Sequence, residues 1–336
     1  MSNGAPSSFG LSGGSCKDSG KDFNKYMSSY GEMGSGEGII ARDETPGLVD
    51  TFYSLVTDIY EWGWGQSFHF APRLAGQDDH TSEVAHECHL AACLQVQPGQ
   101  KVLDAGCGVG GPMRRIAART GAHVTGVTIN QYQVDRATKH NRDLGLEKLT
   151  NVVQGNFLEL DQKFAEGTFD AAYAIEATCH APDLSEVYGQ IYKVLKPGGR
   201  FVTYEWVATD LWDKGNPVHV KIMDEINKGN GLPDMRTRKE AEAAAEKAGF
   251  KIVSSTDLAT VATPPNTPWT ARLSMNRFQH FVNAAIVTSL DAIGLLPAGV
   301  KDAHDMLVNV AHWLVEGGKT GVFTPMQLMV LEKPAN

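Results

Sequence analysis

Asp104, Gly106, Gly108 and Gly111 are the residues from which chemistry can first be read, in the run Lys101-Val-Leu-Asp-Ala-Gly-Cys-Gly-Val-Gly-Gly111. Glycines at this spacing let bare backbone approach a ligand, and the N–H groups that open a following helix point at it. The G-x-G-x-x-G spacing alone says little, because several cofactor folds share it. The carboxylate just before the first glycine narrows the choice. An acid there repels a phosphate and suits an ammonium. It therefore favours S-adenosylmethionine (SAM), whose methionine end carries one, over a nicotinamide or flavin dinucleotide.

The end of the next strand, 123–127, bears on the same choice. Folds that bind NAD or SAM commonly place an acid there to hold ribose hydroxyls. Here the run is Thr128-Ile-Asn-Gln131, with no carboxylate until Asp135. NAD loses its second support, and Thr128, Asn130 and Gln131 become candidates for the cofactor. Asn156-Phe157 follows the strand at 151–155 and suits the edge and face of an adenine. Ile175 closes the fourth strand, 169–175.

Reactive side chains gather after the fourth strand, in Glu176-Ala-Thr-Cys-His180. Open α/β sheets bind ligands in loops of this kind. A fifth strand, 200–205, ends in Tyr204-Glu205-Trp206. Far upstream lies Tyr60-Glu-Trp-Gly-Trp-Gly-Gln-Ser-Phe-His-Phe70, five aromatic rings with a carboxylate and a histidine. Its rings either plug the core or line a pocket. The run lacks helix or strand periodicity, which favours the pocket. Glu61, Glu176 and Glu205 each have an aromatic or strand-end setting, which makes them candidates for a site role. His86, Cys88 and His89 read as one face of a helix. Zinc-site spacing is missing from them, so no metal is expected.

The elements that must position these residues follow from periodicity. Helices are expected at 48–59, 83–94, 113–119, 131–144, 184–195 and 239–248, the fifth opened by capping-box spacing between Asp183 and Glu186 and the last closed by Gly249. Strands are expected at 250–255 and 322–331. Between those two strands, one apolar stripe from Phe278 to Ile293 and a second from Val300 to Leu314 predict a helical hairpin. The fold class is α/β: a doubly wound, Rossmann-like sheet with a helical insertion before the last strand. The expected divisions are a Gly/Ser-rich disordered tail at 1–40, helices and an aromatic lid at 41–98, the cofactor-binding core at 99–260 and a C-terminal region at 261–336. A formal net charge of −9 argues against nucleic acid. The five cysteines form no C-x-x-C pair, which fits a reduced, cytosol-facing protein, and no signal peptide or membrane span is read.

Four blocks, 60–70, 102–111, 173–182 and 204–206, resemble the signature regions of sterol 24-C-methyltransferases. The resemblance runs from Val49 to Pro334 and includes the ending Phe323-Thr-Pro-Met326. The aromatic block and Ile175-Glu-Ala-Thr-Cys-His180 are its specific parts, since methyltransferases in general share only the glycine turn. Gly126-Val-Thr-Ile-Asn130 and Gly155-Asn-Phe-Leu158 are similar to the plant branch that acts on 24-methylene sterols. The resemblance implies methyl transfer from SAM, without metal, to a Δ24 or 24(28)-methylene sterol, leaving a cation that loses a proton. Aromatic rings would steady that cation. Tyr60, Trp62, Trp64, Phe68, Phe70 and Trp206 can supply them, with Glu205 beside the substrate. Glu176, Glu61, His69, His180 and Tyr60 remain the candidates for the base. Another lipid acceptor, such as a tocopherol or a fatty acyl chain, and a NAD-dependent oxidoreductase are the alternatives. Peripheral contact with the cytosolic face of the endoplasmic reticulum is expected, and a homo-oligomer is left open.

Overall fold

The computed structural model describes residues 64–260, 267–273 and 300–335, with isolated positions and short runs among 46–61 and 287–293. The tail at 1–40, Tyr60, Trp62 and most of the stripe from Phe278 to Ile293 lie outside the described residues.

Five strands, β1 (Lys101–Ala105), β2 (His123–Thr128), β3 (Thr150–Gln154), β4 (Phe169–Ile175) and β5 (Leu195–Ala208), run parallel. Two more complete the sheet, β6 (Lys251–Asp257) and β7 (Phe323–Glu332), in the order β3-β2-β1-β4-β5-β7-β6. β7 is antiparallel to both its neighbours. The order of the strands reverses between β1 and β4, and that switch point is where doubly wound sheets bind their ligands. Register sets the first site contact, because Asp104 pairs with Tyr173 across β1 and β4.

Helices cover both faces. On one face α1 (Asp79–Leu94) and α2 (Gly111–Thr120) pack Leu90, Leu94, Met113 and Ile116 over Val102, Val124 and Tyr173. α1 opens four residues earlier than expected because Asp78 caps it, accepting the Thr81 N–H. α3 (Gln131–Asp143) follows β2, capped by Asn130. On the opposite face α4 (Leu184–Val194) and α6 (Arg238–Lys247) bury Leu184, Val187, Ile191, Ala241 and Ala245 against Leu103, Ala172 and Phe201. Asp183 caps α4 through the N–H of Ser185, while the full capping box is made by Thr237 and Glu240 on α6.

A third cluster lies beyond the strand ends. α5 (Pro217–Asn230) is a helix not expected from the sequence, with Asn216 as its cap, proline at its first position and Gly231 ending it at φ 67°. It packs Ile222, Met223 and Ile226 with Leu314 of α7 (Val300–Thr320) and with Phe70, Trp206, Trp269 and Phe323. α7 is the second helix of the expected hairpin, six residues longer than its apolar stripe.

Candidate active site

The turn after β1 is shaped by two close approaches. Gly106 has φ +98°, and a Cβ there would lie 2.3 Å from Cβ of Ala177, in the loop that follows β4. Gly111 faces the aromatic run, where a Cβ would meet the Gln66 carbonyl oxygen at 2.0 Å. Gly111 was expected at the cofactor. Its lack of a side chain instead lets the 64–70 loop lie against the start of α2. Gly106 and Gly108 line the cavity and Gly111 does not.

That cavity, ≈ 960 Å³ with its open mouth included, begins at the glycine turn and passes beneath the N-terminal segment. Of the residues expected at the cofactor, Asp104, Thr128, Asn156, Phe157 and Ile175 line it. Asp104 is buried and accepts the Tyr173 hydroxyl at 2.7 Å. Burial pushes its pKa up to about 7, against the pull of that hydrogen bond. A ligand cation would lower it again. Asn130 and Gln131 stand outside the lining. Asn130 accepts the Gln133 N–H at 3.0 Å and donates to Asp50 at 2.8 Å, and Gln131 donates to Asp135. Gln133, in the first turn of α3, lines the cavity in their place and accepts the Thr128 hydroxyl at 2.7 Å.

Glu176 ties three segments together. Its Oε1 accepts the Phe70 N–H at 2.7 Å and its Oε2 the Trp206 indole N–H at 2.8 Å. Its own N–H donates to the Tyr204 carbonyl, and its backbone sits at φ 51°, which is rare without glycine. Burial pushes its pKa to about 8, opposed by His69 and the two donors. A non-glycine residue held in this region costs about 1–3 kcal/mol, and such strain clusters at functional sites.

Of the two site histidines, His69 places Nδ1 2.8 Å from the Phe70 carbonyl and Nε2 2.9 Å from Glu87, which also takes the Ser67 hydroxyl and Arg115. Burial opposes its charge, yet Glu87 holds the imidazole above its ordinary pKa. With both nitrogens against acceptors the ring is arranged as an imidazolium, which has no lone pair for a further proton. His180 is the opposite case. Nδ1 lies 3.2 Å from the Gly231 carbonyl and Nε2 3.0 Å from the Tyr53 hydroxyl, and burial lowers its pKa to about 4.

Glu61, Trp64, Phe70, Glu205 and Trp206 stand outside the cavity lining, contrary to expectation. Glu61 pairs with Arg136 and His140, which outweigh its burial and hold it below the usual carboxylate range. Glu205 is wholly buried under the loop, accepting from Thr178 and Tyr188. Trp64, Phe70, Trp206, Trp269 and Phe323 pack ring on ring, with centroids 4.8–6.1 Å apart. Of the described rings in the aromatic run, Phe68 alone faces the cavity. His86 is stacked on Tyr204 at 3.7 Å, and among the described residues no group of side chains is arranged to hold a metal.

Tyr53 and Gln133 also line the cavity, though neither was expected from the sequence. The N-terminal segment that carries Tyr53 is pinned to α3 by Asp50 on Asn130, Thr57 on Gln133, Asp58 on Tyr132 and Glu61 on Arg136. That segment roofs the cavity through Pro46, Val49 and Tyr53.

A doubly wound sheet with a glycine turn, a buried acid before it and Asn156-Phe157 facing one cavity has what S-adenosylmethionine requires, and the protein is a SAM-dependent methyltransferase. Residues 103–203 match the family described as Methyltransferase domain, and residues 270–335 match Sterol methyltransferase C-terminal. The chain is 48% identical over 326 residues to 24-methylenesterol C-methyltransferase 3 of Arabidopsis thaliana, covering 96% of this chain and 89% of that one. It is 49% identical over 294 residues to 24-methylenesterol C-methyltransferase 2 of Oryza sativa subsp. japonica (88% and 80%). Squalene methyltransferase 1 of Botryococcus braunii is 45% identical over 315 residues (93% and 82%). A solved mycolic acid cyclopropane synthase shares the fold, with TM-score 0.69 at 16% identity over 86% of this chain and 98% of that one. The chain belongs to the sterol C-methyltransferase family.

Proposed function

We propose that the protein transfers a methyl group from SAM to the side-chain double bond of a sterol, at C24 of a Δ24 sterol or C28 of a 24-methylene sterol. The observation that carries this is one cavity that brings the SAM turn at Asp104 and Gly106 together with Phe68, Ile175, Glu176, His180 and Tyr53. It supports the sterol reading together with the printed names of the relatives.

Bound SAM supplies a methyl group on a sulfonium, open to attack by an alkene. Asp104 would face the ammonium, the backbone of Gly106 and Gly108 the methionine part, and Asn156 and Phe157 the adenine. Glu176, fixed by Phe70 and Trp206, presents a carboxylate beside the place where positive charge resides. A sulfonium nearby would draw its pKa down from about 8 and keep it ionised. The N-terminal roof, through Pro46, Val49 and Tyr53, would limit the entry of water that could otherwise capture a carbocation.

Incubation with labelled SAM and a panel of Δ24 sterols, 24-methylene sterols and squalene tests the proposal. Label in a sterol supports it, and label in squalene alone favours the acceptor named for the Botryococcus braunii enzyme. Among the described residues no helix is long and apolar enough to cross a membrane. Because the acceptor resides in membranes, we place the protein on the cytosolic surface of the endoplasmic reticulum, a location that flotation with liposomes checks.

A further inference from the structure

Tyr53 and His180 lie 127 residues apart in the chain, yet the Tyr53 hydroxyl sits 3.0 Å from Nε2 of His180. The two rings meet edge to face at 5.5 Å and 67°. The other ring nitrogen, Nδ1, is 3.2 Å from the carbonyl of Gly231, the residue that ends α5. A carbonyl only accepts, so Nδ1 carries the ring proton. Nε2 is then the acceptor, and the Tyr53 O–H donates to it. Both side chains line the cavity, as do Glu176 and Ile175.

The reaction proposed above ends with a tertiary carbocation that must lose a proton. Such a cation is so strong an acid that a neutral base suffices, provided water is kept out. The charged candidates fit that task less well. Glu176 already accepts an N–H on each oxygen, His69 has acceptors at both nitrogens, and Glu61 is bound to Arg136 and His140 outside the cavity. Asp104 holds the Tyr173 hydroxyl at the SAM end.

We propose that Tyr53 and His180 together take the proton that ends the reaction, which rests on the sterol methyltransferase reading above. The C–H bond beside the cationic carbon breaks and its electron pair closes the new C=C bond. The proton goes to the Tyr53 oxygen as the Tyr53 proton moves to Nε2 of His180. The positive charge passes from carbon to imidazolium, and the Nδ1–H remains on Gly231. Burial holds the His180 pKa at about 4, so the imidazolium sheds its proton once product leaves. Glu176 is thereby left to the sulfonium, and base and electrostatic partner are separate groups.

The test compares wild type, Tyr53→Phe, His180→Asn and the double variant, with labelled SAM and whichever sterol the wild type accepts. Calorimetric titration with S-adenosylhomocysteine runs beside it. Each variant is expected to bind that product within about twofold of wild type while turnover falls about a hundredfold. Products should shift to water-quenched alcohols and misplaced double bonds, and the double variant should be no worse than the worse single one. Wild-type products from Tyr53→Phe, at any rate, would overturn the assignment, since a packing role slows the enzyme without diverting the cation. If Tyr53→Phe binds no S-adenosylhomocysteine, His180→Asn decides by the same product criterion. A wild type that methylates no sterol would remove the reading beneath the proposal before any variant is compared.

Discussion

Glu176 accepts the indole N–H of Trp206 at 2.8 Å, joining the loop after β4 to the end of β5. Trp206 was expected to lie against the substrate. Its ring packs on Phe323, and its N–H fixes a carboxylate that does face the cavity. Trp206→Phe keeps the ring and deletes the donor. A hydrogen bond to a charged group is worth about 1.5–3 kcal/mol. The expected result is kcat lowered about tenfold or more, with a small change in the sterol KM. A loss confined to the sterol KM would mean that the ring contacts the acceptor after all.

Asp104 with a pKa near 7 makes SAM binding depend on pH. The ammonium prefers the ionised carboxylate, so the bound state has the lower pKa. Affinity should be full above about pH 7 and fall by up to about tenfold per unit below it, because the free site holds a proton there that binding must expel. Asp104→Asn still accepts from Tyr173 and should fold. It is expected to lose about 1.5–3 kcal/mol of SAM affinity and most of this pH dependence. Calorimetry between pH 5.5 and 8 reads both effects, and a flat wild-type profile would contradict the role.

The His69–Glu87 pair is a stability element. The pKa of His69 is raised, so its contribution is full below the unfolded value of 6.5 and fades as pH rises through the folded one. For Glu87, burial works against charge, but His69, Arg115 and Ser67 leave its pKa lowered. Its contribution is full above the unfolded value of 4.5 and fades as pH falls through the folded one. Both are present between these two unfolded values, and there Glu87→Gln should cost most. Breaking a buried pair typically costs about 3–5 kcal/mol. The Tm gap between wild type and Glu87→Gln should narrow towards alkaline pH.

Arg136 pins the N-terminal roof by way of Glu61, at 2.6 Å. The Arg136 side chain is 33% exposed, so solvent screens the pair and about 0.5–1 kcal/mol is expected from it. Arg136→Ala should speed proteolysis near residue 60, raise KM for both substrates and leave Tm nearly unchanged. An unchanged cleavage rate would show that the other α3 contacts hold the roof without it.

The sheet was legible because its central strands are short apolar runs bounded by glycine turns, and β4 was placed to the residue at Phe169–Ile175. α5 was missed although Asn216-Pro217 and Gly231 mark both its ends, since only Ile222, Met223, Ile226, Gly229 and Asn230 of its residues are buried. In the aromatic run the residue types pointed to a site, but a loop without period gives no rule for which ring faces inward. Phe68 lines the cavity while Trp64 and Phe70 pack behind it. Gly111 fitted the cofactor spacing and serves the loop at Gln66 instead. Tyr53 was hidden for a different reason. It sits among the apolar positions of a helical stripe, and its partner His180 is brought to it only by the tertiary fold.

Methyl transfer to a sterol side chain is read from the isotopic composition of the product. With SAM deuterated in its methyl group and a 24-methylene sterol as acceptor, the expected product is a C24-alkylated sterol that retains every deuterium in the new methyl, its one lost proton coming from the sterol skeleton. Absence of deuterated sterol from a preparation that binds SAM, or deuterium found only in squalene, would contradict it.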